Sequence, residues 1–172
     1  DGVSQYSTIL GHIPAKPLMR RHYATVSRVH AISTADLFVK SMSGLGRGCF
    51  GFLKDIAPEL WVIHNNAIKD VVPESRRFAK FFTSAISNFN ISPNIHRDRN
   101  NLKPTLNIII TARKNSRGGH LVLPEFDLVI EQADKSMLVY PAWQNFHGVT
   151  PIEITRKNGY RNTFIFYTVK GF

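Results

Sequence analysis

The sequence carries a single cysteine, Cys49, among 172 residues. One thiol excludes an internal disulfide framework and any cysteine-based zinc cluster, and it suits a reducing, intracellular compartment. Long hydrophobic runs are missing as well: residues 106–110, broken by Asn107, and 164–167 are far too short to span a bilayer. No charged-then-apolar leader opens the chain, no internal repeat recurs and no low-complexity linker divides it. A start at Asp1 rather than Met is expected of a core fragment. Acidic residues are scarce, with 12 Asp and Glu against 22 Lys and Arg. The remainder is ordinary for a globular protein, since 43% hydrophobic and 20% charged residues exclude wholesale disorder. A chain of this length can bury a core without staples, so one domain over residues 1–172 is expected.

The formal charge of +10 points to a polyanionic partner, because each phosphate that a protein neutralises releases condensed counterions. A basic surface kept only for solubility is the plainer reading, and a charge this high on a small domain favours nucleic acid over it. The larger share of the excess lies in residues 1–103. Arg20, Arg21 and Arg28 cluster early. Arg97, Arg99 and Lys103 form a second group, and Arg113, Lys114 and Arg117 a third around a turn. The last two groups are the candidates for holding nucleic-acid phosphates.

Thr34 is placed to cap a short helix over residues 35–41, with Asp36 at the positive end of its dipole. Gly44, Gly46, Gly48 and Gly51 then read as a turn-rich connector, and no Gly-Lys-Ser/Thr follows to make a phosphate-binding loop. Phe78, Phe81, Phe82, Ala85, Ile86 and Phe89 recur at helical spacing behind Pro73 and Glu74, which predicts a helix over 73–88 acting as scaffold. After Pro93 the pattern turns to strands at 105–112, 121–123, 128–131, 137–140, 146–154 and 162–169, with a turn at 115–119. Six short strands behind helices predict an α+β, mainly β fold: a double-stranded β-helix, or jelly roll, flanked by N-terminal helices. Residues 1–92 supply the helical flank and first strands, and residues 93–172 the metal-binding core.

One short stretch carries chemistry. In His96-Arg97-Asp98 an extended backbone points residues i and i+2 to the same side, so an imidazole and a carboxylate can reach one metal. His147 follows in Asn145-Phe146-His147-Gly148-Val149, and Arg161 opens Arg161-Asn162-Thr163, where Arg161 and Thr163 share a face. Two imidazoles and a carboxylate on one side of iron(II) leave open positions for a keto acid and dioxygen. The far carboxylate of a dicarboxylic keto acid then needs a fixed cation, and a guanidinium grips it through two parallel hydrogen bonds. His12, His22, His30 and His64 are read as surface or satisfied core residues, and His120 as a cavity-wall residue that does not ligate. Trp61, Tyr140 and Trp143 are read as core or rim.

Residues 96–168 resemble the 2-oxoglutarate- and iron-dependent dioxygenases. More narrowly, they resemble the family that groups the ten-eleven-translocation (TET) methylcytosine oxidases with the J-binding-protein thymine hydroxylases. The matching pieces are His96-Arg97-Asp98-Arg99-Asn100-Asn101, Gly118-Gly119-His120-Leu121-Val122-Leu123-Pro124-Glu125, Phe146-His147-Gly148-Val149 and Arg161-Asn162-Thr163, in the family's order. His120 stands where many relatives have an acidic residue, and residues 1–90 lie outside the resemblance. It implies that His96, Asp98 and His147 bind Fe(II), that Arg161 binds 2-oxoglutarate with Thr163 beside it, and that dioxygen is the co-substrate. It further implies that Asn101, helped by Asn100, contacts a target base flipped out of methylated DNA. The expected reaction is 5-methylcytosine to 5-hydroxymethylcytosine by a monomer needing no membrane or protein partner. Thymine hydroxylation and N6-methyladenine demethylation are the neighbouring alternatives. An oxygenase of proteins or small molecules, or a non-catalytic nucleic-acid-binding module, are the alternatives from other classes.

Overall fold

The computed structural model describes residues 4–19 and 21–172, so Arg20 of the early basic group lies outside the described residues. In chain order the strands begin with β1 (Tyr6–Ile13), β2 (Thr25–Val26), β3 (Ser84–Phe89) and β4 (Asn107–Lys114). They continue with β5 (Ser116–Gly118), β6 (Leu121–Leu123), β7 (Leu128–Ile130) and β8 (Ser136–Tyr140), and end with β9 (Gly148–Val149), β10 (Ile152–Ile154) and β11 (Tyr160–Tyr167). Six of them form a large antiparallel sheet in the order β2-β1-β3-β11-β4-β8, and β7-β6-β9 and β10-β5 form two small ones. The large and small sheets wall a cavity between them, which is the double-stranded β-helix expected from the sequence.

Two helices, α1 (Asp36–Ile56) and α2 (Pro58–Val71), cover the other face of the large sheet. Strand alternation sorts the side chains between the two faces. On β11, Phe164 and Phe166 pack toward the helices, while Arg161, Thr163, Ile165 and Tyr167 line the cavity. On β4, Ile108 and Ile110 face the helices and Asn107 and Ile109 the cavity. Beneath α1 and α2 the rings of Phe50, Phe81, Phe82 and His64 stack into one cluster with Trp61 and Phe166 at its edges.

Three expectations for the N-terminal half are corrected. The glycine-rich stretch is the middle of α1, not a connector. Met42, Gly46, Phe50 and Leu53 form its buried stripe, and a Cβ on Gly46 would strike the Phe166 ring and Ala79, so the glycine lets the helix lie close on the sheet. Helix α1 starts at Asp36 without a side-chain cap from Thr34, which sits in a short 3-10 turn.

The phenylalanine stripe is not a helix over 73–88. It is a 3-10 turn at Glu74–Arg76, a tight turn bridging Phe78 and Phe82, and strand β3. Ala79 and Lys80 have φ of 51° and 70°, left-handed values that break any α-helix there. Strand β3 is covered on both faces, by helices and by the cavity wall, so its apolar residues lack the clean alternation that marks a half-exposed strand. The later strands follow the sequence closely, except that the run expected at 146–154 splits into β9 and β10 around Pro151 and the turn at 115–119 contains β5.

Candidate active site

His96 and His147 are cross-strand partners: each backbone N–H donates to the other's carbonyl at 2.8 Å. The Asp98 N–H donates to the Ala142 carbonyl, so the His96–Asp98 stretch is tied at both ends to the segment that leads into His147. This pairing brings the rings of His96 and His147 to 4.4 Å between centroids. Nε2 of His96 lies 3.5 Å from Asp98 Oδ1, and Nε2 of His147 lies 4.0 Å from the same oxygen.

The three groups are oriented from behind. Nδ1 of His96 bonds the Asn94 carbonyl at 2.7 Å and Nδ1 of His147 bonds the Asn145 carbonyl at 3.1 Å. A carbonyl only accepts, so Nδ1 carries a proton in both rings, and the neutral form of each ring leaves its lone pair on Nε2. Burial pushes the His147 imidazole below its ordinary range, which favours the neutral form that ligates. Asp98 Oδ2 accepts from Asn107 Nδ2 at 3.1 Å and from Asn101 Nδ2 at 3.3 Å, leaving Oδ1 toward the two imidazoles. One ligand atom from each residue lies within 4.8 Å of the others. Two imidazole nitrogens and one carboxylate oxygen, converging on one point, fit the facial donor set of iron(II).

The same cavity, of about 290 Å³, is lined by Arg161 and Thr163. Arg161 is only 1% exposed, and its Nη2 donates to Gln132 Oε1 at 2.6 Å. No acidic side chain among the described residues pairs with it, and its Nε is buried without a partner. Burial, and then the nearby Arg113 guanidinium, pull its pKa down to about 10. A buried cation without an anion is costly, so the site fits a ligand carboxylate placed against Arg161. Gly119 makes room for it, because a Cβ there would overlap Cδ and Nε of Arg161. This gives a physical reason for the second glycine of Gly118-Gly119.

The remaining sequence candidates are distributed as follows. Asn101 lines the cavity but is buried, with Nδ2 shared between Asp98 Oδ2 and Asn107 Oδ1. Asn100 is exposed, and its carbonyl accepts from the Lys170 N–H. Arg97 pairs with Glu125 at 3.1 Å and lies over the Phe146 ring at 4.3 Å. Arg99, Lys103, Lys114 and Arg117 are exposed, Lys103 over the Trp143 ring. Arg113 is half-buried and donates to the carbonyls of Gln132 and Ser116. His120 accepts the Gln132 N–H through Nδ1 and stands outside the three-residue cluster. Tyr140 lines the cavity edge-on to His147, and Trp143 donates to the Thr105 carbonyl.

Three contributors were not singled out in the sequence. Asn107 and Gln132 are amides without a spacing signal. Glu125, at the end of a quoted motif, accepts from Arg97, from Asn145 and from the Phe146 N–H, and so fixes the loop that presents His147.

No family model matches this chain, and no curated protein matches it by sequence. Among solved structures it superposes on NgTET1, determined in complex with 5mC DNA, with a TM-score of 0.72 and 11% identity. That match covers 96% of this chain and 61% of the NgTET1 chain. An RmlC-like cupin protein from Desulfovibrio desulfuricans matches 50% of this chain and 73% of its own, with 17% identity and a TM-score of 0.31. The chain is TET-like in fold, and it spans about three-fifths of the length of the NgTET1 chain it matches.

Proposed function

We propose that this chain is an iron(II)- and 2-oxoglutarate-dependent dioxygenase that hydroxylates the 5-methyl group of a pyrimidine in DNA, with 5-methylcytosine as its first substrate. One observation carries the reading: a single cavity holds three converging donors and a buried arginine that has no acidic partner among the described residues. Either half alone has ordinary structural explanations, whereas together they match the two ends of a metal-chelated dicarboxylate.

In this reading His96, Asp98 and His147 hold the metal, and Arg161 receives the far carboxylate of the keto acid, with the Thr163 hydroxyl beside it. When bound, iron(II) with 2-oxoglutarate would supply oxidative hydroxylation, in which the keto acid loses its C1 carboxylate as carbon dioxide and becomes succinate with one oxygen of dioxygen, while the other oxygen enters the substrate C–H bond as hydroxyl. The apolar wall from Ile86, Ile109 and Ile165 keeps water from this end of the cavity. A methyl group stacked inside a duplex cannot enter a protein cavity, so the nucleotide must leave the stack. Exposed Arg99 and Lys103, which follow Asp98 in sequence, offer positive charge for DNA phosphates. The charge of +10 and the fold shared with a protein solved on 5mC DNA support this substrate class.

The test is nucleoside mass spectrometry after incubation with iron(II), ascorbate and DNA bearing thymine only, 5-methylcytosine or N6-methyladenine, with and without 2-oxoglutarate. The expected result is one added oxygen on 5-methylcytosine that depends on 2-oxoglutarate. Oxidised thymine or loss of N6-methyladenine would reassign the base. Succinate without any altered base would move the substrate away from DNA, and no succinate would overturn the enzyme.

A further inference from the structure

Gln132 is the residue against which Arg161 rests, and two features of that contact are unexplained by packing. Gln132 is 2% exposed and lines the cavity, yet its Nε2 has no hydrogen-bond partner among the described residues. Nε of the Arg161 guanidinium that it contacts has none among them either. The amide cannot be turned over to relieve this, because a guanidinium only donates and so requires the oxygen on its side. Two buried donors therefore stand unmade at one end of the cavity, where such groups are rare unless a ligand completes them.

The backbone holds Gln132 in this position independently of its side chain. Its N–H donates to His120 Nδ1 at 3.2 Å and its carbonyl accepts from Arg113 Nη1 at 3.1 Å. Arg113 is also the register partner of Arg161 across β4 and β11. Two opposed guanidiniums repel, and no acidic group among the described residues forms an ion pair with either. The chemistry of the contact is thus selective: Gln132 supplies an acceptor that orients Arg161 but no negative charge that would neutralise it.

We infer that Gln132 is a specificity-determining residue of the keto-acid site. Its carbonyl fixes the Arg161 fork while keeping the full positive charge for the ligand, and its NH2 donates to the ligand's far carboxylate beside Arg161 Nε. The inference rests on the proposed 2-oxoglutarate reading and adds to it the reason why a dicarboxylate, rather than a keto acid ending in a methyl group, is selected. A glutamate at this position would pair with Arg161 internally and compete with the ligand.

Binding to Mn(II)-loaded protein, followed by isothermal titration calorimetry, tests this without turnover. The ligands are 2-oxoglutarate and 2-oxopentanoate, which differ only in the far carboxylate. Wild-type protein should prefer 2-oxoglutarate by at least about tenfold. Gln132→Glu should shrink that preference by about tenfold or more while leaving 2-oxopentanoate within about twofold of wild type. Gln132→Met, which removes the donor without adding charge, should weaken 2-oxoglutarate several-fold. A wild-type preference retained in Gln132→Glu overturns the inference alone. Should Gln132→Glu fail to give a cooperative melt, unchanged 2-oxoglutarate affinity in Gln132→Met overturns it equally. Absence of 2-oxoglutarate binding by the wild type overturns the proposed function and the inference with it.

Discussion

Asn107 donates to Oδ2 of Asp98 at 3.1 Å, so the carboxylate presents its other oxygen, Oδ1, to both His96 and His147. Asn107 is 2% exposed, and Asn101 donates both to its Oδ1 and to the same Asp98 oxygen. The two amides form a small buried brace behind one ligand. Outer partners of this kind set ligand orientation and typically contribute about 10–100-fold in metal affinity. Asn107→Leu should weaken Mn(II) binding by about that factor without abolishing it. Asp98→Ala, by contrast, should remove both tight metal binding and turnover while leaving DNA affinity largely intact. Metal titration with gel-shift assays on the same preparations checks both, and wild-type activity in Asp98→Ala would remove the proposed centre.

Gly119 has a φ of 70°, and the space where its Cβ would go is filled by Cδ and Nε of Arg161. Gly119→Ala should therefore strain the backbone by about 1–3 kcal/mol and displace the arginine. The expected signature is a raised 2-oxoglutarate requirement in the direction of Arg161→Ala, together with a lower melting temperature that Arg161→Ala need not share. Steady-state titration of 2-oxoglutarate with parallel melts distinguishes the two.

His64 connects α2 to two loops under the sheet, with Nε2 on the Phe81 carbonyl at 2.7 Å and Nδ1 accepting the Leu106 N–H at 3.0 Å. The Leu106 bond requires the neutral ring, whereas the Phe81 carbonyl accepts from either form, and burial lowers the pKa from 6.5 to about 4. The folded state thus binds this proton less readily than the unfolded state. Its contribution to stability is complete above pH 6.5, declines below it, and is lost as pH falls through about 4. The full span corresponds to about 3 kcal/mol. Urea unfolding at pH 7 and pH 4.5 should show this loss, and His64→Gln should flatten it.

Arg99 and Lys103 are exposed on the segment that follows Asp98. If each neutralises one phosphate, the double substitution to alanine should reduce the slope of log affinity against log salt by about 2. Fluorescence anisotropy on a short duplex over a salt series measures it. An unchanged slope would place the phosphate contacts elsewhere on the basic surface.

The fold and the centre were legible in the sequence to different depths. His96-x-Asp98, His147 and Arg161-x-Thr163 stood out as candidates because an extended backbone turns a spacing of two into a shared side, and because the motifs around them resemble a known family in order. Asn107 and Gln132 carried no such sign. An amide is selected by the one partner it meets in space, and those partners, Asp98 and Arg161, lie 9 and 29 residues away.

Residues 78–89 show where local pattern ends. Their phenylalanines satisfy a helical period, and only the contacts on both faces of β3, with positive φ at Ala79 and Lys80, make them turn and strand. The glycines of α1 show the converse. Their intrinsic preference is against a helix, yet Met42, Phe50 and Leu53 find a buried face on the sheet, and Gly46 lets them approach it. By itself the sequence determined the charge, the late strands and the residue types of the centre, because each is a property of composition or of near neighbours. Which segments are covered on both sides, which amides brace Asp98, and that Arg161 has no acidic partner among the described residues were decided by tertiary structure, because burial and pairing depend on what distant parts of the chain bring together.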